Sequence, residues 1–265
     1  MTTIAMKEKV LSENQRLAAE LRERFAEGGT LALNLISSPG SGKTSVLERT
    51  LEALPRDLRV AVLTGDIQTD NDARRLGAAG FPAKQITTGG ACHLDARMIA
   101  RALESWPRAG HSWAGELPLN NYQAPVHEAK GAVWFESGGF SEPECAAPLE
   151  MLFIENVGNL VCPSSYDLGE QAKVVLLSVT EGEDKPLKYP SIFSKAELCI
   201  VNKIDLLPYV SFDLALAREN IRKMRPDGDV IEMSCKTGAG ISEWLGWIEQ
   251  RRTRAAAAGW QLPVG

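Results

Sequence analysis

Eight consecutive residues have the composition of a phosphate-binding loop. Residues 37–44 (SSPGSGKT) lie between a short apolar run and a stretch with helical spacing. In that position, backbone N–H groups and the N-terminus of the following helix can cradle phosphates. Ser37 replaces the first glycine of the pattern G-x-x-x-x-G-K-[ST], so a plain Gly-Ser turn is the alternative for this motif alone. The residues expected to bind phosphate are Gly40, Ser41, Gly42, Lys43, Thr44 and Ser45, with Lys43 also catalytic.

A second polar motif, residues 202–205 (NKID), follows a later apolar run and is typical of guanine binding. An aspartate that accepts two hydrogen bonds complements guanine N1–H and N2–H, whereas adenine has an acceptor at N1 and would leave buried groups unpaired. Residues 234–236 follow the next strand and resemble the second base-contacting loop of GTPases. We therefore expect the nucleotide to be GTP. The candidate base contacts are Asn202, Lys203, Asp205, Ser234, Cys235 and Lys236.

Oxygen ligands for a magnesium ion can be chosen from the same part of the chain. Mg²⁺ prefers hard oxygen donors, and the carboxyl ends of parallel strands meet at one edge of a sheet. We expect Thr44, Asp72 and Glu155 to hold this ion, with Asp72 also a catalytic candidate. Asp66 is the third catalytic candidate: it could bind the metal through water, act on the attacking water, or cap a loop. We identify no glutamine or histidine placed to orient that water, so slow intrinsic hydrolysis is expected.

Two cysteines and a histidine could form a soft-metal site. Cys92 and His93 are adjacent and precede a predicted helix, whose dipole would favour a thiolate at Cys92. Cys162 lies seven residues beyond Glu155, just past the loop expected to sense the γ-phosphate. Two thiolates and one imidazole suit Zn²⁺ or Ni²⁺, and two copies of the trio could enclose one ion across a two-fold axis. The alternative is a buried, inert cysteine beside a capping histidine.

Alternating elements must position these residues. Apolar runs separated by helical spacing predict an α/β fold, with a mostly parallel sheet covered by helices on both faces, as in P-loop NTPases. The predicted strands are 31–36, 60–63, 85–87, 152–154, 174–179, 198–201 and 230–233. The predicted helices are 6–27, 45–54, 72–79, 94–103, 212–224 and 241–252.

The predicted organisation is an N-terminal helix (1–29), a GTPase domain (30–255) and a C-terminal tail (256–265). An irregular insertion at about 107–149 interrupts the domain and holds five of the 14 prolines. The helix before it runs away from the ligand edge, so we expect the insertion to emerge at the opposite edge. Its His111, His127 and Cys145 are 16 and 18 residues apart, which is not local metal spacing, so a surface or partner-contact role is favoured.

Composition narrows the classes of partner. A net charge of -5 without a basic stripe argues against nucleic acid. The apolar runs are strand-length, far below the roughly 20 residues that span a bilayer, so no membrane association is expected. Five cysteines spread through the chain, with no export signal at the N-terminus, favour free thiols and a cytoplasmic location.

Taken together, the motifs resemble the HypB family of hydrogenase maturation GTPases. The resemblance covers about 30–104 and 150–250, on the segments 37–44, 64–70, 90–96, 155–163 and 202–205. It implies GTP hydrolysis, GTP-dependent homodimerisation and nickel insertion into [NiFe]-hydrogenase, with a HypA-type chaperone and the hydrogenase large-subunit precursor as partners. It also implies that Cys92, His93 and Cys162 bind Ni²⁺ or Zn²⁺ at a dimer interface.

The chain departs from this pattern in several places, and other functions remain open. No cysteine precedes Cys92, so the nickel-storage motif of some members is missing, and Arg97 stands where members often have histidine. The insertion is not a family feature. Related urease accessory GTPases share the scaffold but carry a Cys-Pro-His arrangement that is absent here. Two further alternatives are a metal-sequestering protein with a vestigial nucleotide site, and a small-molecule kinase that would prefer ATP.

Overall fold

A computed structural model of the 265-residue chain describes residues 3–66, 71–104, 134–135 and 149–259. The helices are α1 (Thr3–Glu27), α2 (Lys43–Ala53), α3 (Asn71–Gly77), α4 (Ala96–Glu104), α5 (Lys185–Lys188), α6 (Pro190–Phe193), α7 (Leu214–Met224) and α8 (Ile241–Gly259). The strands are β1 (Leu31–Ser37), β2 (Val60–Asp66), β3 (Ala83–Thr87), β4 (Trp134–Phe135), β5 (Met151–Glu155), β6 (Ala172–Ser178), β7 (Leu198–Asn202) and β8 (Asp229–Met233).

These strands form one sheet, in the order β4-β3-β2-β5-β1-β6-β7-β8 among the described residues. Seven of them run parallel, and β4 pairs antiparallel with β3 at one side. The mostly parallel sheet predicted from the sequence is therefore confirmed. Because parallel strands end at a common edge, the segments that follow β1, β2, β5 and β7 meet there.

Helices cover both faces of the sheet, which explains why its strands are continuous apolar runs. Within β1, Leu31, Leu33 and Leu35 pack with α2, α3 and α8. Ala32 faces the opposite side, where it packs with α1 and α4. Ile36 joins a third cluster on that side with α6 and α7. A strand that is buried on both faces has no solvated face to alternate with, so its sequence is apolar throughout.

Several elements differ from the sequence-based expectation. Helix α4 begins at Ala96, two residues late, because Asp95 caps it through a 2.8 Å hydrogen bond from the Met98 N–H to Oδ1. Helix α8 extends to Gly259, past the predicted end at 252 and into the predicted tail. Helices α5 and α6 were not predicted, since four residues are too few to display a helical period.

Strand β4 lies inside the segment predicted as an irregular insertion. It pairs with Ala83 and Lys84, the first residues of β3, at the end of the strand away from the ligand edge. His111, His127 and Cys145 lie outside the described residues, as do residues 67–70 of the loop after β2. Within the described ranges, no helix is long and apolar enough to cross a bilayer.

Candidate nucleotide and metal site

The loop between β1 and α2 has the backbone geometry of a phosphate cradle. Gly40 has φ 73° and Gly42 has φ 100°, in the left-handed region that glycine adopts without strain. Gly42 also sits where α2 begins, and a Cβ there would lie 2.6 Å from Asn202 Nδ2. Glycine is therefore required at position 42 both by its φ and by the close approach of Asn202.

Lys43 is oriented back toward the start of the same loop. Its Nζ donates a 2.9 Å hydrogen bond to Ser37 Oγ, so the serine that replaces the first glycine of the motif becomes a partner of the lysine. Burial lowers the pKa of Lys43, while the charges of four surrounding carboxylates act in the opposite direction. Those carboxylates are Glu155, Asp72, Glu181 and Asp66.

The predicted magnesium ligands Thr44 and Glu155 are in direct contact. Thr44 Oγ1 donates a 2.8 Å hydrogen bond to Glu155 Oε1. The second carboxylate oxygen, Oε2, is buried and has no hydrogen-bond partner among the described residues. Burial raises the pKa of Glu155 to about 7, against the lowering effects of the Lys43 charge and the Thr44 hydroxyl. A buried carboxylate oxygen without a partner beside a hydroxyl fits a hard divalent cation.

The other two acidic residues predicted for this site lie on either side of the loop between β2 and α3. Asp66 is the last residue of β2, and Asp72 lies in the first turn of α3, where Arg75 Nη1 is 3.5 Å from its carboxylate. Both act on Lys43 by their charge. The structure therefore brings Asp66 and Asp72 close enough to Lys43 to act electrostatically on the phosphate loop.

The predicted guanine-binding residues adjoin the phosphate loop. Asn202 Nδ2 donates to the Ser41 carbonyl at 2.9 Å, and Lys203 Nζ donates to the Gly40 carbonyl at 2.6 Å. Lys203 has φ 64°, and it is the only residue other than glycine with positive φ in the described part of the chain. This turn sends its side chain back over the loop while Asp205 follows in a 3₁₀ helix, Ile204–Tyr209.

The loop after β8 supports the same base site. Ser234 Oγ donates a 2.6 Å hydrogen bond to Asp205 Oδ1, so the serine holds the carboxylate that is expected to accept from guanine. The Cys235 carbonyl accepts a 2.9 Å bond from Arg49 Nε, and its thiol lies 3.9 Å from Asn202 Oδ1. Lys236, the last of the predicted contacts, is exposed.

The three predicted soft-metal ligands also come together. The thiols of Cys92 and Cys162 and a ring nitrogen of His93 all lie within 4.8 Å of one another, and each residue is partly exposed. Cys92 Sγ is 3.8 Å from His93 Nδ1. Two sulfur donors and one imidazole at this separation fit Zn²⁺ or Ni²⁺ and leave positions for additional ligands.

The environment of Cys92 differs from the predicted one. Since α4 begins at Ala96, Cys92 precedes it by four residues and lies outside its first turn. A hydrogen bond with the Cys162 thiol, followed by burial and the Cys162 charge, raises the pKa of Cys92. The predicted stabilisation of a thiolate by the helix dipole is therefore wrong, because the dipole effect falls off within the first turn.

His93 is held by an aromatic residue that the motifs did not identify. Tyr166 stacks on the imidazole with ring centroids 3.7 Å apart and an interplanar angle of 25°. Burial lowers the pKa of His93, which favours the neutral ring that binds metal. Tyr166 follows the 3₁₀ helix Cys162–Ser165, so its position depends on the same loop that carries Cys162.

The nucleotide and metal segments contact each other through the loop after β5. A Cβ added to Gly158 would lie 3.0 Å from the Cα of Pro39 in the phosphate loop. Asn156 is buried, and its Oδ1 accepts a 3.2 Å bond from the N–H of Leu94, the residue after His93. One short segment therefore contacts the phosphate loop at one point and the metal-ligand loop at another.

Glu181 is a further residue of the site that the sequence motifs missed. Its Oε1 accepts a 2.6 Å bond from Ser41 Oγ and a 3.1 Å bond from the Ser178 N–H. Lys185 Nζ lies 3.2 Å from the Glu181 carboxylate and from Ser38 Oγ. Glu181 thus supports the outer side of the phosphate loop. It follows a strand without belonging to a local motif, so only its position after β6 could have indicated it.

Comparison with known sequences identifies a family that covers most of the chain. Residues 31–232 match the family model described as CobW/HypB/UreG, nucleotide-binding domain. Hydrogenase maturation factor HypB of Cupriavidus necator is 48% identical over 259 residues, which cover 96% of this chain and 71% of that protein. The Escherichia coli K12 protein of the same name is 46% identical over 243 residues, covering 92% and 71%.

Two solved structures share the fold. The crystal structure of HypB from Helicobacter pylori in complex with nickel has a TM-score of 0.72 and 36% identity, covering 91% of this chain and 96% of that one. HypB from Archaeoglobus fulgidus has a TM-score of 0.71 and 34% identity, covering 91% and 99%. The P-loop NTPase fold class predicted from the sequence is confirmed.

Proposed function

The chain belongs to the CobW/HypB/UreG family and, within it, to the HypB hydrogenase maturation factors, and from this membership we propose a GTP-hydrolysing nickel metallochaperone. The observation that carries the proposal is the segment from Glu155 to Cys162. At one end of this segment, Glu155 accepts a hydrogen bond from the Thr44 hydroxyl of the phosphate loop. At the other end, Cys162 belongs to the cluster of two thiols and an imidazole. A nucleotide-dependent movement of this segment would change the metal site.

The phosphate loop supplies the binding half of the proposed GTPase. Lys43 and the N–H groups around Gly42 hold the phosphates, while Asp205, fixed by Ser234, selects guanine. Thr44, Glu155 and Asp72 would hold Mg²⁺, which when bound neutralises charge on the phosphate oxygens. The carboxylates around Lys43 act against the effect of burial on its pKa and so favour the charged form of the lysine. We expect slow intrinsic turnover, well under about one per second.

The metal half consists of Cys92, His93 and Cys162. Their mixed sulfur and nitrogen donors suit Ni²⁺ as cargo, and the same donors also accept Zn²⁺. The H. pylori relative, 36% identical, was crystallised in complex with nickel, which supports nickel as the cargo here. Three donors leave coordination positions through which the ion could pass to another protein.

The partly exposed position of this cluster supports a role for a second protein surface at the metal site. Val161, beside Cys162, is 59% exposed, an apolar side chain at the rim of the metal site. A second copy could cover it and bring a second trio of ligands, so we propose a homodimer that GTP favours. Transfer would involve a HypA-type nickel chaperone and the precursor of the hydrogenase large subunit.

Substitutions in each half test the proposal. Lys43→Ala should abolish GTP hydrolysis, because the phosphates lose their buried cation, whereas exposed Lys188→Ala should not. Cys92→Ala and Cys162→Ala should each lower the nickel stoichiometry measured by metal analysis after gel filtration. Cys199→Ala is the matched control, since this thiol is buried in the core away from the cluster.

The results also separate the alternatives. Unchanged behaviour of Lys43→Ala in nickel binding and release, with no turnover in the parent protein, would favour a metal-sequestering protein. A preference for ATP over GTP would favour a small-molecule kinase. Nickel stoichiometry that survives loss of either cluster cysteine would contradict the proposed metal site.

A further inference from the structure

Helix α1 carries one buried polar side chain in its apolar face. Asn14 is 6% exposed and lies one turn before Leu17 and Ala18, which pack in the core cluster with α4. An amide in such a position must satisfy both a donor and an acceptor, or its burial destabilises the fold. Both groups of Asn14 are satisfied, and both partners are backbone groups of distant segments.

The first partner belongs to the segment of Cys92 and His93. Asn14 Oδ1 accepts a 2.8 Å hydrogen bond from the N–H of Ala96, the first residue of α4 and three residues beyond His93. The N–H groups at the start of a helix have no partner inside it, so this bond satisfies one of them and ties the start of α4 to α1. It also limits how far the preceding metal-ligand loop can move.

The second partner belongs to the segment of Cys162. Asn14 Nδ2 donates a 2.8 Å hydrogen bond to the carbonyl of Asp167, the residue after Tyr166. Tyr166 stacks on His93, so its orientation depends on where Asp167 is held. The Asn14 amide therefore links two segments of the chain. One follows Cys92 and His93, and the other follows Cys162.

Other contacts of α1 hold the same segment in place. Arg22 Nη2 lies 2.6 Å from both carboxylate oxygens of Asp167. Burial acts to raise the pKa of Asp167, but the hydrogen bonds from Arg22 and from the Gly169 N–H lower it overall. Gly169 packs so closely that a Cβ there would lie 2.8 Å from the Ala18 carbonyl. Residues 167–169 are therefore packed tightly against α1.

We propose that Asn14 is a positioning residue of the metal site, setting the separation between the Cys92-His93 loop and the Cys162-Tyr166 loop. The inference rests on the proposed nickel function of that cluster. The Asn14 amide carries its donor and its acceptor on two different atoms of one short side chain, so Asp or Leu at this position would lose at least one of the two bonds. Helix α1 is then part of the metal site although it contributes no ligand.

The test measures nickel binding to the metal-free 265-residue chain with nickel sulfate as the probe. Asn14→Ala removes both bonds and should weaken nickel binding about 10-fold or more, the range seen when partners of metal ligands are removed. The near-ultraviolet absorption from nickel–thiolate charge transfer should change as the ligand geometry relaxes. Asn14→Asp keeps the acceptor for the Ala96 N–H and loses the donor to the Asp167 carbonyl. Its nickel affinity should therefore lie between that of the parent protein and that of Asn14→Ala.

Arg16→Ala is the matched control on the same helix. In the part of the chain that the structure describes, its guanidinium pairs with Glu13 and Glu20 of α1, and its side chain is 40% exposed. This variant should bind nickel like the parent, with the same absorption. Thermal melting of every variant shows whether the fold is retained, and if Asn14→Ala unfolds, Asn14→Asp decides.

Two results would overturn the inference, and they differ from failure of the proposed function. Nickel affinity and absorption of the Asn14 variants equal to those of the parent, while Cys162→Ala loses binding, would eliminate the positioning role alone. Equal weakening by Arg16→Ala would show that any change in α1 has the same effect. If Cys162→Ala binds nickel like the parent, the metal site itself is elsewhere and both proposals fail.

Discussion

At the residue scale, the candidate guanine site depends on one carboxylate and the serine that holds it. Ser234 donates to Asp205 Oδ1 at 2.6 Å, so the carboxylate is oriented before any base arrives. A preorganised acceptor discriminates strongly, because a bound base without the matching donors would cover this charge and leave it unpaired. The proposed selectivity for guanine therefore depends on the Asp205 side chain.

Asp205→Asn should weaken GTP binding by about 100-fold, since an amide N–H would face the donors of guanine. The same variant should bind xanthosine triphosphate better than the parent does, because xanthine presents a carbonyl in place of the N2 amine. Fluorescent nucleotide titration measures both affinities, and exposed Asp57→Asn is the control. GTP affinity equal in the variant and the parent would show that Asp205 does not contact the base.

Glu155 should make the nucleotide-free, magnesium-free protein less stable as pH rises. Burial raises its pKa in the folded state to about 7, above the value of 4.5 expected for the unfolded chain. As pH rises, the unfolded chain therefore loses this proton at a lower pH than the folded protein does. The stabilising effect is full below pH 4.5 and is lost as pH rises to about 7, a difference of roughly 3 kcal/mol.

Glu155→Gln removes this titration and should flatten that part of the pH profile. Urea denaturation between pH 5 and pH 8 measures the free energy of unfolding of both proteins, with exposed Glu52→Gln as control. Parallel profiles for Glu155→Gln and the parent would contradict a raised pKa at this carboxylate.

The sequence identified residues that belong to short motifs but missed those that act through the fold. Lys43, Asp205 and Cys92 each lie in a local pattern whose chemistry can be worked out from residue types. Tyr166 and Asn14 contact the metal segments across 73 and 82 residues of chain, and no local pattern announces such contacts. Their roles depend on packing, which a single sequence does not contain.

At the element scale, the loop after β5 contacts both halves of the candidate site, the phosphate loop and the metal-ligand loop. Gly158 packs on Pro39 of the phosphate loop, and Asn156 holds the N–H of Leu94 beside the metal ligands. Gly65 at the end of β2 is also so close to Leu94 that an added Cβ would lie 2.8 Å from its side chain. These close approaches leave little room for independent movement of the two halves.

Gly158→Ala should therefore weaken GTP binding about 10-fold and reduce the effect of nucleotide on nickel affinity. The added methyl would meet Pro39, and overpacking of this kind costs about 1–3 kcal/mol. Isothermal titration with GTP, and with nickel in the presence of either nucleotide, measures both effects. The control is Gly246→Ala in α8, where an added Cβ meets nothing within 4 Å.

Loss of nucleotide binding in both glycine variants, or in neither, would contradict this role for the loop. The contrast is informative because Gly158, like Gly246, has a φ that any residue can adopt. Any difference between the variants therefore reports the contact with Pro39 and not backbone strain.

The order of long elements was predictable, and their exact ends were not. Apolar runs such as that of β6 identify strands buried on both faces, which is why the parallel sheet followed from the sequence. Helix α4 was placed two residues early because Leu94 fits the apolar period, whereas the cap at Asp95 decides the start. That small difference reversed the expected effect on the Cys92 thiol.

At the scale of the whole molecule, one edge of the sheet carries the segments that we propose bind nucleotide, magnesium and nickel. The phosphate loop follows β1, Asp66 and Glu155 end β2 and β5, and the candidate base contacts lie at the ends of β7 and β8. The loop that carries Cys92 and His93 follows β3 at the same edge, and Asn14 of α1 accepts a hydrogen bond from the Ala96 N–H just beyond this loop. The family relationship and this shared edge support a protein in which GTP and nickel act on each other.

Such coupling has to be reciprocal: if GTP changes nickel affinity, nickel changes GTP affinity by the same factor. The central claim is that the γ-phosphate acts on the metal cluster through residues 155–162. The most direct test is a nickel titration of the 265-residue chain saturated with GDP or with a non-hydrolysable GTP analogue. We predict nickel dissociation constants that differ by about 5-fold or more, the lower limit of typical allosteric coupling. Equal nickel affinity in the two nucleotide states would contradict the account.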